Sequence, residues 1–314
     1  MSAEELLRLV EAEGLIAAPA PLVVMLSGGR DSVCMLDLAA RAREAGAVSA
    51  LHVNYGLRPE ADADERFCAE LCERLEVPLD VVRARRPEGP GNLQAWARDE
   101  RYAAAARLAA ARGEAARILT GHTADDQVET ILYRLASSPS RRALLGMRPR
   151  EGRLVRPLLG SGRAETTAYC EERGLGWRDD ASNVEGEYKR NLVRRELVPA
   201  LEKIHPAAKE NVLRTAALLR EEAALLESLV DAELGAGGGR TITQERFAEL
   251  HPALRRLVLQ RLADEAAGRP VPGAARFAEQ VAALRRGPAS SLDLGRGVRA
   301  VAERGVLRAE RPYI

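Results

Sequence analysis

The sequence predicts an α/β fold: an N-terminal doubly wound, mostly parallel sheet followed by a mainly helical C-terminal domain. Three observations carry this. Short apolar runs alternate with longer stretches of helical spacing from residue 22 to residue 135, the pattern of βαβ crossovers. After residue 205 the strand-type runs give way to long helical ones, interrupted by Gly235 and the Gly237-Gly238-Gly239 cluster. A length of 314 residues also suits two domains of roughly 100–200 residues each.

In order, residues 1–13 read as a short amphipathic helix and residues 22–26 as a buried strand closed by Ser27-Gly28-Gly29. Helix 33–45, strand 50–54, helix 63–75, strand 79–82, helix 96–112, strand 117–120 and helix 124–135 follow, then a fifth strand at 154–158 and a helix at 163–173. These make a first domain of residues 1–205. Residues 206–234 form one long linking helix, and residues 235–314 a small domain with helices at 246–267 and 273–284 and a hairpin at 291–308 around Gly295 and Gly297. Ligands of such a sheet sit at the carboxyl ends of the strands, where strand order reverses, so every loop after a strand is a candidate site.

Charge and cysteine content set the class. The 47 basic residues nearly cancel the 46 acidic ones, and the net charge of +1 gives no bulk signal of a polyanion partner. Only Lys189, Lys203 and Lys209 are lysines, so arginine, whose planar fork suits phosphates, dominates the positive charge. Locally the balance breaks: Arg134, Arg141, Arg142, Arg148, Arg150, Arg153 and Arg156 face the single acid Glu151 in a stretch read as largely loop. Such a stretch suits phosphate tracking along RNA. Cys34, Cys68, Cys72 and Cys170 are too sparse for a disulfide scaffold and point to a reducing, cytoplasmic compartment. Neither a signal peptide nor a membrane span is expected, and so no membrane partner.

The hexapeptide Ser27-Gly28-Gly29-Arg30-Asp31-Ser32 lies between a strand and a helix. Glycines there take tight backbone angles while successive N–H groups and the helix end face an anion, so it reads as a phosphate cradle. It has neither the Gly-Lys-Ser/Thr ending of a Walker loop nor the spacing of a dinucleotide fingerprint. A second motif, residues 120–130, leaves a strand and enters a helix, with Asp126 and Glu129 three apart on one face. A carboxylate pair of this kind binds a cationic amine or a metal, or simply complements the helix dipole. His122 stands beside the pair, where a histidine can meet a developing phosphate charge.

The hexapeptide resembles the pyrophosphate loop of the ATP pyrophosphatases. With it, in order, come His52-Val53-Asn54-Tyr55-Gly56-Leu57-Arg58, then Gly91-Asn92-Leu93-Gln94-Ala95-Trp96-Ala97-Arg98, Arg101-Tyr102, the acidic motif, Gly176-Trp177-Arg178-Asp179-Asp180-Ala181-Ser182-Asn183 and Arg190-Asn191-Leu192-Val193-Arg194. This set resembles the tRNA(Ile)-lysidine synthetase family over about residues 20–220. The resemblance implies an adenine nucleotide alpha hydrolase-like sheet and an ATP-dependent carbon–nitrogen ligase using ATP and Mg2+. It implies two steps: adenylation of O2 of the wobble cytidine in tRNA(Ile) with a CAU anticodon, then attack of the L-lysine ε-amine at C2 with loss of AMP.

By the same resemblance Ser27, Gly28, Gly29, Arg30, Asp31, Ser32, His52 and Asn54 bind ATP, and Asp31 and Asp126 reach its magnesium. Asp126, Glu129, Arg190 and Arg194 hold lysine. His122, Asp126, Glu129, Arg98 and Arg101 carry the chemistry, with Asp126 or Glu129 as base and Arg98 or Arg101 on the phosphates. Independently of the resemblance, the local arginine excess assigns Arg141, Arg142, Arg148 and Arg150 to tRNA contact, and the C-terminal domain is open to positioning tRNA or to forming a homodimer. Two departures stand out: the family often has paired histidines where this chain has His122-Thr123, and a glycine-rich segment where it has Ser137-Ser138-Pro139-Ser140.

The rival enzyme reading is a tRNA sulfurtransferase with the same cradle, which needs a reactive cysteine pair or iron–sulfur ligands. Cys68 and Cys72, at i, i+4, read instead as buried and inert. A non-enzymatic RNA-binding module fits poorly with 4% aromatic residues, since stacking platforms use aromatics.

Overall fold

The computed structural model describes residues 1–17, 19–57, 59–85, 92–138, 141–178, 188–235, 239–285, 287 and 289–311. They form two compact units, Met1–Ala217 and Leu218–Ile314. Among the described residues no helix is long and apolar enough to cross a membrane.

The first unit begins with α1 (Ala3–Ala12), whose Ser2 cap and Glu5 form a capping box. The first half of the sheet follows as β1 (Leu22–Met25), α2 (Arg30–Ala42), β2 (Val48–Asn54), α3 (Ala61–Arg74) and β3 (Leu79–Arg83). The second half is α4 (Leu93–Ala111), β4 (Arg117–Leu119), α5 (Ala124–Ser137), α6 (Arg141–Leu144), β5 (Arg150–Glu151), β6 (Leu154–Val155) and α7 (Arg163–Glu172). The strands order β3-β2-β1-β4-β6-β5, with every pair parallel except β5 with β6. The chain winds outward from β1 to β3 and returns to the other side of β1 for β4. The loops after β1 and β4 therefore open side by side at the reversal of strand order.

Both faces of β1 are covered, which is why it reads as a continuous apolar run. Leu22 and Val24 join the core with α1, α2 and α7, whereas Val23 and Met25 face Ala104, Ala105 and Ala109 of α4. A buried ionic knot ties the first of these layers: Asp37 of α2 accepts from the Tyr169 hydroxyl at 2.6 Å and from Arg173 Nε at 3.0 Å.

Several boundaries differ from the sequence reading. Helix α2 starts at Arg30, three residues before the expected 33, because Gly29 is its cap and the polar residues Arg30, Asp31 and Ser32 fill its first turn. The arginine-rich stretch is not a loop: it holds α6 and a β5–β6 hairpin turned by Gly152 at φ +60°. The fifth strand is only two residues, since the chain must turn at Arg156. Residues 188–204 form an unforeseen helical run: α8 (Tyr188–Leu192), a π-helical turn (Val193–Leu197) and α9 (Val198–Ile204). The long helix α10 spans Ala208–Leu234, and the first compact unit reaches Ala217, inside it.

In the second unit the helix expected at 246–267 is two: α11 (Gln244–Glu249) and α12 (Pro252–Ala267), parted where Leu250 is extended and Pro252 opens a new helix under a His251 cap. A 3-10 turn (Ala274–Phe277) and α13 (Ala278–Ala282) replace the helix at 273–284. The tail is more than a hairpin. Strands β8 (Ser290–Gly295), β9 (Val298–Glu303) and β10 (Val306–Glu310) join β7 (Thr241–Thr243) in an antiparallel sheet of order β7-β10-β9-β8. Phe247, Leu259 and Leu294 are among its core residues.

Candidate active site

The loop after β1 is shaped by its own side chains. Gly28 takes φ +87°, and a Cβ there would lie 3.4 Å from Cys68 Sγ and 3.7 Å from Arg178 Cγ. The Gly28 carbonyl accepts from the Arg178 amide at 2.9 Å, which fastens residues 176–178 over the turn. The Ser32 hydroxyl donates to the Gly29 carbonyl at 2.8 Å and accepts from the Ser27 amide at 3.2 Å. The serines thus close the cradle; the Ser32 amide donates to the Gly29 carbonyl at 3.0 Å, while the amides of Arg30 and Asp31 ahead of it have no acceptor inside the helix.

The β4 loop presses on that same helix end. A Cβ on Gly121 would stand 2.6 Å from the Asp31 carbonyl oxygen, so only glycine lets the two strand ends meet this closely. The Asp31 carboxylate is fixed from α7, the Thr166 hydroxyl donating to Oδ1 at 2.6 Å, and from Arg30 Nε at 3.1 Å.

His122 is held by Thr120, whose Oγ1 lies 2.7 Å from Nδ1. Burial, opposed by Asp126 and aided by the positive charges of Arg156, Arg101 and Arg98, lowers its pKa to about 4. It is neutral near pH 7, so it offers hydrogen bonds and not charge. The cationic field comes from the arginines, and Arg98 and Arg101 flank the Tyr102 ring at 4.8 and 5.8 Å. Arg101 Nε and Arg156 Nε are buried and have no hydrogen-bond partner among the described residues.

Thr123 caps α5, its amide and hydroxyl both donating to Asp126 Oδ2, at 2.9 and 3.0 Å. Asp126 and Glu129 do share a face, and two guanidinium groups already lie on it. Arg163 bridges them, Nη2 to Asp126 Oδ1 at 2.6 Å and Nη1 to Glu129 Oε1 at 3.0 Å. Arg194 grips Glu129 through Nε at 2.7 Å and Nη2 at 3.0 Å. Beside them lies a cavity of about 160 Å³ walled by Val128, Val198, Pro199, Glu202 and Lys209 as well as Glu129, Arg163 and Arg194. Asp125 completes it, accepting from the Arg163 amide at 2.7 Å and from Lys209 Nζ at 3.3 Å. Its burial favours the neutral acid, but these donors more than offset that and lower its pKa.

The structure thus brings the glycine cradle, Asp31, His122, Asp126, Glu129 and Arg194 to the two neighbouring loops. It gives other expected residues different tasks. The Asn54 side chain builds the turn after β2: its amide donates to Asp62 at 3.0 Å and Glu65 at 2.8 Å, and its oxygen accepts from Gly56 N at 2.9 Å. His52 is buried with Nδ1 2.9 Å from the Leu26 carbonyl and 3.4 Å from Cys68 Sγ. Arg190 is exposed and acts electrostatically on Arg134. Of the basic stretch, Arg142, Arg148 and Arg150 are exposed and Arg141 is partly so. Arg156 is buried, donating to the Arg148 carbonyl at 2.6 Å and Glu151 at 3.2 Å, and Arg134 donates to the Gly146 carbonyl at 2.9 Å. Arg58, Gly91 and Asp179-Asp180-Ala181-Ser182-Asn183 lie outside the described residues.

Sequence reasoning missed Arg163, Thr166 and Lys209, which reach the site from α7 and α10. For magnesium, no group of three or more His, Cys, Asp or Glu side chains among the described residues is placed to hold an ion. Asp31 is the better fit of the two expected carboxylates, because both oxygens of Asp126 are taken by Thr123, Arg163 or Arg194. All four cysteines are free and buried, and burial pushes the Cys68 and Cys72 thiols up to about 12.

Residues 2–201 match the family model of the PP-loop domain. Curated relatives include a tRNA(Ile)-lysidine synthase of Dehalococcoides mccartyi, 38% identical over 85% of this chain and 61% of the relative, and one of Symbiobacterium thermophilum, 38% identical over 96% and 67%. The chain thus spans about two thirds or less of the length of the curated relatives it matches. Among solved structures, a U34-tRNA thiolase of Methanococcus maripaludis, with its [4Fe-4S] cluster, superposes with a TM-score of 0.57 at 18% identity, covering 69% of this chain and 78% of that one. That likeness is one of fold.

Proposed function

We propose, on the premise that the chain belongs to the PP-loop family and within it to the tRNA(Ile)-lysidine synthases, that it ligates L-lysine to C2 of the wobble cytidine in tRNA(Ile) with a CAU anticodon, consuming ATP. The observation that carries this is the meeting of the glycine cradle with the Asp126–Glu129 pair through Gly121. A polyphosphate site and a cation-binding site then lie one strand apart, as a reaction joining an adenylated base to lysine requires.

In the first step the α2 N-terminus and the Ser27–Ser32 turn take the phosphates, with magnesium entering as part of the nucleotide substrate and Asp31 in reach of it. Arg98 and Arg101 offset the charge that grows on departing pyrophosphate. Their guanidinium groups, rather than neutral His122, supply the positive field, and His122 contributes a hydrogen bond. Cytidine O2 attacks the α-phosphorus and pyrophosphate leaves. In the second step the lysine amine, having passed a proton to Asp126 or Glu129, attacks C2 and AMP departs. The exposed Arg142, Arg148 and Arg150, with Arg141, face tRNA phosphates.

Thiolation is not favoured, because a thiolate nucleophile needs a lowered thiol pKa and Cys68 and Cys72 are raised. The direct test is mass spectrometry of a tRNA(Ile) transcript incubated with the protein, ATP, magnesium and lysine. A lysine-sized gain at the wobble cytidine is expected, and its absence overturns the proposal.

A further inference from the structure

Resting on the reading of Asp126 and Glu129 as an amino-acid site, we infer that Arg163 is the protein's own occupant of the ammonium position, and that L-lysine enters by exchanging with it. On exchange the lysine ammonium takes the bridging place between the two carboxylates. Arg194 remains on Glu129 and turns its third nitrogen to the incoming carboxylate.

The geometry separates the two arginines. Arg163 spends one terminal nitrogen on each acid, 2.6 Å to Asp126 and 3.0 Å to Glu129, and so sits between them as a bridging cation. Arg194 places Nε and Nη2 on Glu129, at 2.7 and 3.0 Å, and comes only to 3.7 Å of Asp126, so its hydrogen bonds are a bidentate grip on one acid that leaves Nη1 for another acceptor. With both cations in place the pair is neutralised, and a third cation brought to it meets like charge. One guanidinium must leave, and the bridging one occupies the needed place.

The exchange costs no backbone movement. The Arg163 amide is tied to Asp125 at 2.7 Å, and its carbonyl accepts from the Thr167 hydroxyl at 2.7 Å. The side chain can swing while helix α7 stays where it is. The cavity beside it offers Val128, Val198 and Pro199 to an aliphatic stem. Lys209 already shows an ammonium accommodated on that wall, 3.3 Å from Asp125 and 3.1 Å from Glu202.

The exchange predicts opposite signs for two arginines that touch the same glutamate. Calorimetric titration of the full chain with L-lysine should show Arg163→Met binding about tenfold more tightly than wild type, because the internal competitor is gone. Arg163→Gln should do the same and serves if the Met variant fails to fold. Arg163→Lys, which restores a competing cation, should return affinity toward wild type, and Arg194→Met should weaken it. In wild type the Arg163 Nε–H resonance should shift on lysine addition. Equal or weaker binding by folded Arg163→Met and Arg163→Gln would overturn the exchange while leaving the amino-acid site intact. Lysine binding to neither wild type nor any variant would instead overturn the amino-acid reading on which the exchange rests.

Discussion

The α-carbon of Gly121 lies so close to the first turn of α2 that a Cβ on it would stand 2.6 Å from the Asp31 carbonyl oxygen and 2.9 Å from the Ser32 amide nitrogen. Backbone on both sides leaves nothing flexible to yield. Gly121→Ala should push the β4 loop off the cradle, cost about 1–3 kcal/mol by overpacking, and raise the KM for ATP. Gly176→Ala, where a Cβ meets nothing within 4 Å, is the control. Thermal melts and pyrophosphate-release kinetics of both variants check this, and equal behaviour would mean the contact is not limiting.

Glu129 is 5% exposed and carries two guanidinium groups. Glu129→Gln removes the charge both answer to. Breaking a buried pair leaves charge uncompensated, but Arg163 and Arg194 are partly solvated, so the loss should be about 2 kcal/mol. Asp126→Asn separates the roles further: its remaining oxygen still accepts from Thr123 and keeps the α5 cap, and its NH2 loses only the partly solvated contact with Arg163, so stability should fall by about 1 kcal/mol while lysine transfer falls. Urea unfolding beside transfer assays reads both. Normal lysine transfer by Asp126→Asn would remove Asp126 from the chemistry.

The glycine turn and the acidic pair were legible because each is local: a turn needs glycine at a fixed place, and residues three apart share a helix face. Arg163, Thr166 and Lys209 were not, because nothing local marks them. Arg163 is one arginine among many, and only the placing of α7 beside α5 gives it Asp126 and Glu129, 37 and 34 residues away. Asn54 shows the reverse limit, a structural task that its position does not announce. A polar residue at a strand end reads as a ligand contact, whereas its side chain is consumed by Asp62, Glu65 and Gly56. The start of α2 was missed because helical periodicity is read from apolar residues, and its first turn has none.

The cysteines give a sharp chemical test. Burial pushes Cys68 and Cys72 up to about 12, and Cys34, beside Cys170, higher still. Iodoacetamide at pH 8 should label none of the four in the native protein and leave activity unchanged, while urea should expose all to labelling. Rapid native labelling with loss of activity would revive the thiolation reading. Peptide mass spectrometry identifies the modified site.

Acid should destabilise the first unit through His122. Its folded pKa is about 4, below the unfolded value near 6.5, chiefly through burial. Between those values the unfolded chain binds more protons, so stability rises with pH across this window and is flat above it. The contribution is at most about 3 kcal/mol, fully present above pH 6.5 and lost as pH falls through 4. Wild type should therefore lose more stability than His122→Gln between pH 7 and pH 5 in urea unfolding. Parallel losses would show that the ring is not held neutral.

The arginine-rich stretch splits into a surface pair and a structural one. Arg148 and Arg150 are exposed, whereas Arg156 is buried and holds the hairpin through the Arg148 carbonyl and Glu151. Neutralising Arg148 and Arg150 together should weaken tRNA binding at low salt and reduce the slope of log affinity against log salt by about 1 per lost phosphate contact, with ATP binding unchanged. Arg156→Met should instead lower the melting temperature, because it leaves a backbone carbonyl and a carboxylate without their donor. Filter binding across a salt series separates the two effects: an unchanged slope in the Arg148/Arg150 variant would take the tRNA path elsewhere on the protein.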